Sequence, residues 1–314
     1  EDSSPALRKT AADSSPLLSS QIFSSYRGPG DHDYRDNRLA RLLQRRKRAL
    51  ALSAPFPPPP SLESLAVIHE PVEEIHKLGG TVLGSSRGPQ EPAVIVDFME
   101  KRGIDILFCV GGDGTQRGAH AIYEEISQRG LNKSIIGIPK TIDNDVPYVS
   151  TSFGYLTALE KAEEVLRGAH VEARSAFNGI AVVKLMGRDA GFIAAGAALA
   201  SDEANFVLIP EVRFPLEGPG GLLDVLHRRM VNRRHALIVV AEGAGQYLFE
   251  EEAAGRDASG NRSHRDVGIL LRDRIKSYFG EQDFPISVKY IDPSYVIRSV
   301  PANTWDRILT NQLG

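Results

Sequence analysis

Two short runs concentrate groups suited to phosphate chemistry: Gly111-Gly112-Asp113-Gly114-Thr115 and Pro139-Lys140-Thr141-Ile142-Asp143-Asn144-Asp145. In the first, glycines let the backbone approach a phosphate and expose its N–H groups, and the helix expected to follow turns its positive end toward the anion. Asp113 is placed to hold Mg²⁺, directly or through water. The same Gly-Gly-Asp run also reads as an ordinary turn with a helix cap. In the second run, Thr141, Asp143 and Asp145 occupy alternate positions and would share one side of an extended segment. Carboxylates facing one way repel unless they serve a metal or a proton transfer. Asp143 could take the proton of a sugar hydroxyl as its oxygen attacks a γ-phosphorus, with Asp145 orienting it or assisting the metal. An Asx-rich loop capping the next helix is the structural alternative.

Apolar runs that alternate with helical patterns must carry these groups. Strands are expected at 104–110, 134–138, 179–186, 205–209, 236–241 and 286–291, and helices at 115–129, 154–167, 189–201, 222–233 and 266–279. Continuous β-branched runs separated by helices predict parallel strands buried on both faces, the α/β class. Ligands in such sheets bind beyond the carboxyl ends of the strands. Met186-Gly187-Arg188 and Glu242-Gly243-Ala244-Gly245 stand at two such ends, and Tyr295 and Arg298 follow a third. A strand-end arginine offers a planar fork to phosphate oxygens, and a glutamate accepts sugar hydroxyls.

Composition bounds the reading. The chain has 314 residues, 42% of them hydrophobic, enough for one large or two ordinary domains. Its 37 basic and 40 acidic residues leave a net charge of -3, which gives no general attraction for nucleic acid or an anionic membrane. Phosphate binding must therefore be local. The single cysteine, Cys109, lies in an apolar strand run and reads as a core thiol in a reducing compartment. No run approaches the roughly 18 apolar residues of a membrane span. Residues 1–62 differ from the rest, with serine clusters, an arginine-rich stretch over 38–48 and four prolines from Pro57 to Pro60. They read as a disordered, solvated segment; Leu39, Leu42, Leu43 and Leu50 leave an amphipathic surface helix open as the other reading. Glu1, Asp2 and Asp13 argue against a transit peptide, so a cytoplasmic location is expected, with a plastid as the alternative.

From about Val72 to Arg298 the chain resembles a 6-phosphofructokinase, especially the plant-type ATP-dependent branch. The resemblance rests on an ordered set: Leu83-Gly84-Ser85-Ser86-Arg87-Gly88, the two runs above, Val183-Lys184-Leu185-Met186-Gly187-Arg188, Ile209-Pro210-Glu211, Ala241-Glu242-Gly243-Ala244-Gly245 and Tyr290-Ile291-Asp292-Pro293-Ser294-Tyr295. It implies two Rossmann-like parallel-sheet lobes, a nucleotide-binding one over 63–154 to which 296–314 return, and a sugar-phosphate-binding one over 155–295. It implies Asp143 as general base, Asp113 as the Mg²⁺-associated aspartate, Thr141 and Asp145 as active-loop neighbours, and Arg87 near the transferring phosphate. Gly112, Gly114, Thr115 and Lys140 fall at nucleotide positions. Met186, Gly187, Arg188, Glu242, Tyr295 and Arg298 match positions that hold fructose 6-phosphate, and Lys289 matches a basic residue reaching that phosphate across a subunit interface. A homo-oligomer, a tetramer in the family, is implied.

The resemblance further implies ATP and fructose 6-phosphate as substrates in a glycolytic, allosterically controlled reaction. Glycine at 114 leaves room for a nucleotide where pyrophosphate-dependent relatives carry aspartate, whereas Lys140 is shared with those relatives. Three features depart from the pattern: nothing before Gly111 matches the Gly-Gly-x-x-Pro-Gly loop of the family, the sequence stops at Gly314 where the family pattern continues through further helices, and position 179, an arginine in many bacterial-type members, is glycine. The expectation is weak fructose 6-phosphate binding with little or no kinase activity from this chain. A non-catalytic, regulatory subunit and a pyrophosphate-dependent enzyme are the alternatives.

Overall fold

The computed structural model describes residues 48–53, 79, 90–249, 255 and 263–313. The first sheet has three parallel strands in the order β1-β2-β3, formed by Arg48–Ser53, Ile104–Gly111 and Ser134–Pro139. The central strand, β2, is buried along most of its length. Cys109 is buried there as expected, and burial pushes its thiol up to about 12. Two helices accompany this sheet, α1 (Pro92–Arg102) and α2 (Asp113–Gln128). Proline opens α1, where its missing N–H costs nothing, and Gly103 closes it in a left-handed conformation (φ 60°).

The second sheet runs β5-β6-β4-β7, all parallel: β4 Gly179–Leu185, β5 Phe206–Leu208, β6 His235–Ala241 and β7 Ser287–Ile291. β4 and β6 sit at its centre and are almost wholly buried, which is why they are runs of valine, isoleucine, leucine and alanine. Helix α3 (Tyr155–Ser175) covers one face through Ala158, Ala162, Leu166, Ala169 and Ala173. These small residues at helical spacing let its backbone lie close to the sheet. At the start of β4 a Cβ on Gly179 would stand 2.1 Å from the Ala173 carbonyl oxygen, so an arginine there requires the two elements to separate. Helices α4 (Phe192–Ser201), α5 (Leu222–Arg233) and α6 (Val267–Glu281) complete the layers; α5 and α6 enclose a second core with Leu226, Met230, Leu271 and Phe279.

The six expected strands are all present within two residues of their expected ends, and the five expected helices are found. Helix α3 continues to Ser175, beyond the expected stop at Arg167. Strand β1 was not foreseen: it lies inside the stretch read as disordered, and pairing with β2 along six residues makes it part of the first sheet. The rest of 1–62 lies outside the described residues. Helices α1, α7 (Ser294–Arg298) and α8 (Thr304–Leu313) were also not foreseen. Ala302 and Leu309, from the chain around α8, pack against the buried Phe153, as does Ile138 of β3. The buried Asp306 carboxylate of α8 accepts the backbone N–H of Gly154 (2.9 Å) and of Thr157 (2.8 Å) and the Thr157 hydroxyl (2.5 Å) at the start of α3. No helix among the described residues is long and apolar enough to cross a membrane.

Candidate active site

The carboxyl ends of β2 and β3 lie side by side, with Gly111 opposite Pro139. The Lys140 N–H donates to the Gly111 carbonyl (2.9 Å). Gln116, in the first turns of α2, donates through Nε2 to Gly111 O (2.9 Å) and Ile138 O (3.0 Å), stapling the two phosphate-chemistry loops together. Gln116 belongs to none of the recognised motifs, and only the paired strand ends reveal its role. Gly112 precedes α2, and Gly114 and Thr115 lie in its first turn, so their N–H groups belong to the positive helix end. A Cβ added at Gly114 would meet nothing within 4 Å, so neither packing nor backbone conformation demands glycine there.

The 140–145 segment is not the extended run expected from alternation. Asn144 adopts φ 55°, and the Asp143 N–H donates to Thr141 Oγ1 (3.1 Å), folding the segment into consecutive bends. Asn144 Oδ1 accepts from the Ser152 N–H (2.8 Å), and Ser152 Oγ donates to the Thr141 carbonyl (2.6 Å). Local polar bonds therefore replace strand geometry as the reason Asp143 and Asp145 face the same region. Each carboxylate has one buried oxygen, Oδ1, without a hydrogen-bond partner. Burial pushes Asp143 up to about 7, with Asp145 and Glu242 adding to the rise and Arg188 and Lys140 opposing it. Asp145 is raised by burial and by Asp113 and Asp189, against its own backbone hydrogen bond and Arg188. Lys140 is lowered by burial and by the charge of Arg298, while Asp143 opposes the shift.

These mutual shifts show that residues from both sheets converge. Met186, Gly187 and Arg188 follow β4, and Glu242 follows β6, its N–H bonded to Leu185 O (2.9 Å). Gly187 has φ 141°, and Arg188, unusually for a non-glycine residue, sits at φ 50°. The Arg188 N–H donates to Glu242 Oε1 (2.8 Å), which holds that turn in place. A Cβ on Gly243 would lie 2.1 Å from the Arg188 carbonyl oxygen, so glycine there is a packing requirement. Glu211 Oε1 accepts the Gly191 N–H (2.8 Å) just before α4; the Ile209-Pro210-Glu211 run contained this residue, but its type alone did not mark it. On α7, the Arg298 guanidinium lies 4.6 Å from the centre of the Tyr295 ring, and its buried Nε has no partner.

Of the expected residues, one stands apart from this cluster and another lies outside the described residues. Lys289 lies within the edge strand β7, opposite Ala181 rather than at a strand end; it is 55% exposed and its Nζ is 3.7 Å from Glu172. Arg87 lies outside the described residues. Asp113 heads α2, ion-paired with Arg117 one turn on. No group of three potential metal-ligating side chains occurs among the described residues. An all-protein metal cage is therefore absent from them. Mg²⁺ commonly takes one or two carboxylates and completes its shell with water and substrate phosphate, and Asp113 beside the unpartnered Asp145 Oδ1 fits that need.

The family model for phosphofructokinase matches residues 61–314. The ATP-dependent 6-phosphofructokinase of Borreliella burgdorferi is 49% identical over 249 residues, 77% of this chain and 56% of that protein. ATP-dependent 6-phosphofructokinase 7 of Arabidopsis thaliana is 50% identical over 239 residues, 76% of this chain and 49% of that protein. The crystal structure of a pyrophosphate-dependent phosphofructokinase from Marinobacter aquaeolei shares the fold, with a TM-score of 0.61 at 20% identity, covering 79% of this chain and 60% of that one. The chain spans about half the length of the curated relatives it matches. With the strand-end cluster in place and the family match running from residue 61 to the last residue, the chain belongs to the phosphofructokinase family.

Proposed function

We propose that this chain carries a site for ATP-dependent phosphorylation of fructose 6-phosphate at its 1-hydroxyl. The observation that carries the reading is Asp143: a buried carboxylate pushed up to about 7, with an unpartnered oxygen, ringed by Lys140, Asp145, Arg188 and Glu242. A base poised near neutrality is what removal of a hydroxyl proton during phosphoryl transfer calls for. The ends of β2 and β3, with Gly112, Gly114, Thr115 and Lys140, serve the nucleotide; the ends of β4, β6 and β7, with Met186, Gly187, Arg188, Glu242, Tyr295 and Arg298, serve the sugar phosphate. This division corresponds to nucleotide and sugar lobes over 63–154 and 155–295, with 296–314 returning to the first; the packing of Ala302 and Leu309 against Phe153, which Ile138 of β3 also packs against, supports the return.

Asp143 takes the proton, Thr141 fixes the Asp143 backbone, and the Asp145 carboxyl lies next to the base. Asp113 and Asp145 would hold Mg²⁺, which when bound neutralises charge on the donor phosphates. Arg188 and Arg298 neutralise the sugar phosphate, and Glu242 holds the Arg188 turn while presenting its remaining oxygen lone pairs to sugar hydroxyls. Open space at Gly114 supports ATP over pyrophosphate as donor. Lys289, away from this edge and exposed on β7, suits contact with a second copy of the chain.

Calorimetry with fructose 6-phosphate, together with a coupled assay for fructose 1,6-bisphosphate, tests the proposal. Saturable sugar-phosphate binding with ATP-dependent product supports it. Binding without product assigns the chain to a non-catalytic sugar-binding role, and no binding overturns the reading.

A further inference from the structure

Lys184 is the one charged residue of β4, a strand otherwise made of apolar residues, and its side chain is only 12% exposed. Taking an ammonium group out of water is costly unless it is paired. Its Nζ lies 2.7 Å from Asp266 Oδ2 and 2.9 Å from Asp292 Oδ2. The Tyr290 hydroxyl donates to the same Asp266 carboxylate (2.8 Å to Oδ2), and Asp266 Oδ1 caps α6 by accepting the Ile269 N–H (3.1 Å). This charged knot thus ties together β4, the start of α6 and the end of β7.

Asp292 is the arm that reaches the candidate site. Its Oδ1 accepts the Ser294 N–H (3.1 Å) and hydroxyl (2.5 Å) at the first residue of α7. Helix α7 has only five residues, and the Ile297 N–H to Pro293 carbonyl bond (3.0 Å) is its reach back to the preceding turn. So short a helix has little stability of its own and takes its position from what it is fastened to. Ile297, 1% exposed, fastens one side of it in the core, and Asp292 fastens its head. Tyr295, 74% exposed, and Arg298 stacked against it are carried on the remaining surface.

We propose that Lys184 is a positioning residue for sugar-phosphate binding: by clamping Asp292 it sets the placement of α7, and with it the direction of the Arg298 guanidinium. The inference rests on the reading of Arg298 as a sugar-phosphate contact. It separates two lysines of the recognised motifs: Lys140 faces the reacting groups, whereas Lys184 acts through Asp292 without touching substrate.

The test is calorimetry on the full chain with fructose 6-phosphate, and separately with a non-hydrolysable ATP analogue, for the wild type and for Lys184→Met, Lys184→Arg and Asp292→Asn. Asparagine at 292 keeps an oxygen for Ser294 but loses the charge that holds Lys184, so it probes the clamp even where Lys184→Met fails to fold. A misaimed guanidinium should weaken sugar-phosphate binding about tenfold or more in Lys184→Met and Asp292→Asn, while nucleotide affinity stays unchanged. Lys184→Arg should restore most of the sugar affinity, because charge and reach are kept. Wild-type sugar affinity in both Lys184→Met and Asp292→Asn overturns the inference, as does equal weakening of both ligands, which marks a general loosening of the fold. Failure of the wild type to bind the sugar phosphate overturns the reading beneath the inference, and the wild-type titration distinguishes that result from the others.

Discussion

Replacing Asp143 with asparagine removes a carboxylate whose ionisation the fold opposes, and the consequence can be read without any catalytic assay. Burial and the neighbouring Asp145 and Glu242 raise it from 3.8 to about 7. A raised acid keeps its proton in the folded state over a range where the unfolded chain has released it. Its contribution to stability is therefore complete below the unfolded value, falls as pH rises from about 4 to about 7, and is lost above that. The whole shift corresponds to about 4 kcal/mol at 1.36 kcal/mol per unit, of which about 2–3 kcal/mol develops between pH 5 and pH 8. Asp143→Asn should accordingly gain about that much stability over the wild type when urea unfolding is compared at pH 8 and at pH 5. Asp145, Glu242, Arg188 and Lys140 remain in both proteins, so the difference between the two pH profiles isolates residue 143 and its coupling to them. Where turnover is measurable, it should follow the ionised fraction, rising from roughly a tenth to roughly nine tenths of its plateau between pH 6 and pH 8, and should fall about 10²–10⁴-fold in the variant. Parallel stability profiles for the two proteins would show that the carboxyl titrates as an ordinary aspartate, and the argument for a base poised near neutrality would collapse.

Three further outcomes are expected. Gly114→Asp should fold normally, since a Cβ there meets nothing within 4 Å, yet should lose about tenfold or more in affinity for an ATP analogue; unchanged affinity would reduce the glycine to a simple helix-start residue. Gly243→Ala places a methyl 2.1 Å from the Arg188 carbonyl oxygen and should cost about 1–3 kcal/mol in a urea melt while weakening fructose 6-phosphate binding; full retention of both would mean that the Arg188 turn yields without consequence. Asp306→Ala strands two backbone N–H groups and a hydroxyl at the start of α3 and should cost about 3 kcal/mol or more by chemical denaturation, and a loss below about 0.5 kcal/mol would show that water replaces the carboxylate.

Much of the fold could be read from the sequence because hydrophobic pattern and position are local signals. The apolar runs ending at Val110, Met186 and Ala241 announced buried parallel strands, and the rule that ligands gather beyond strand ends singled out Asp113, Arg188 and Glu242 from sequence alone. Tertiary structure alone decided how those ends meet. The alternation of Thr141, Asp143 and Asp145 suggested one side of an extended segment, but Asn144 and Ser152 bend the segment through bonds that span eight residues. The roles of Gln116, Lys184 and Asp306 escaped the sequence for the same reason: a glutamine bridging two strand ends, a lysine answering two aspartates 82 and 108 positions away, and a carboxylate capping a helix 149 residues earlier are defined by partners remote in sequence. Residue type and spacing determine which groups are available and which edge of a sheet they occupy. Burial and the charges that surround each group depend on through-space distance, so only the folded chain could make Asp143 titrate near 7 and leave Arg298 Nε buried and unpaired.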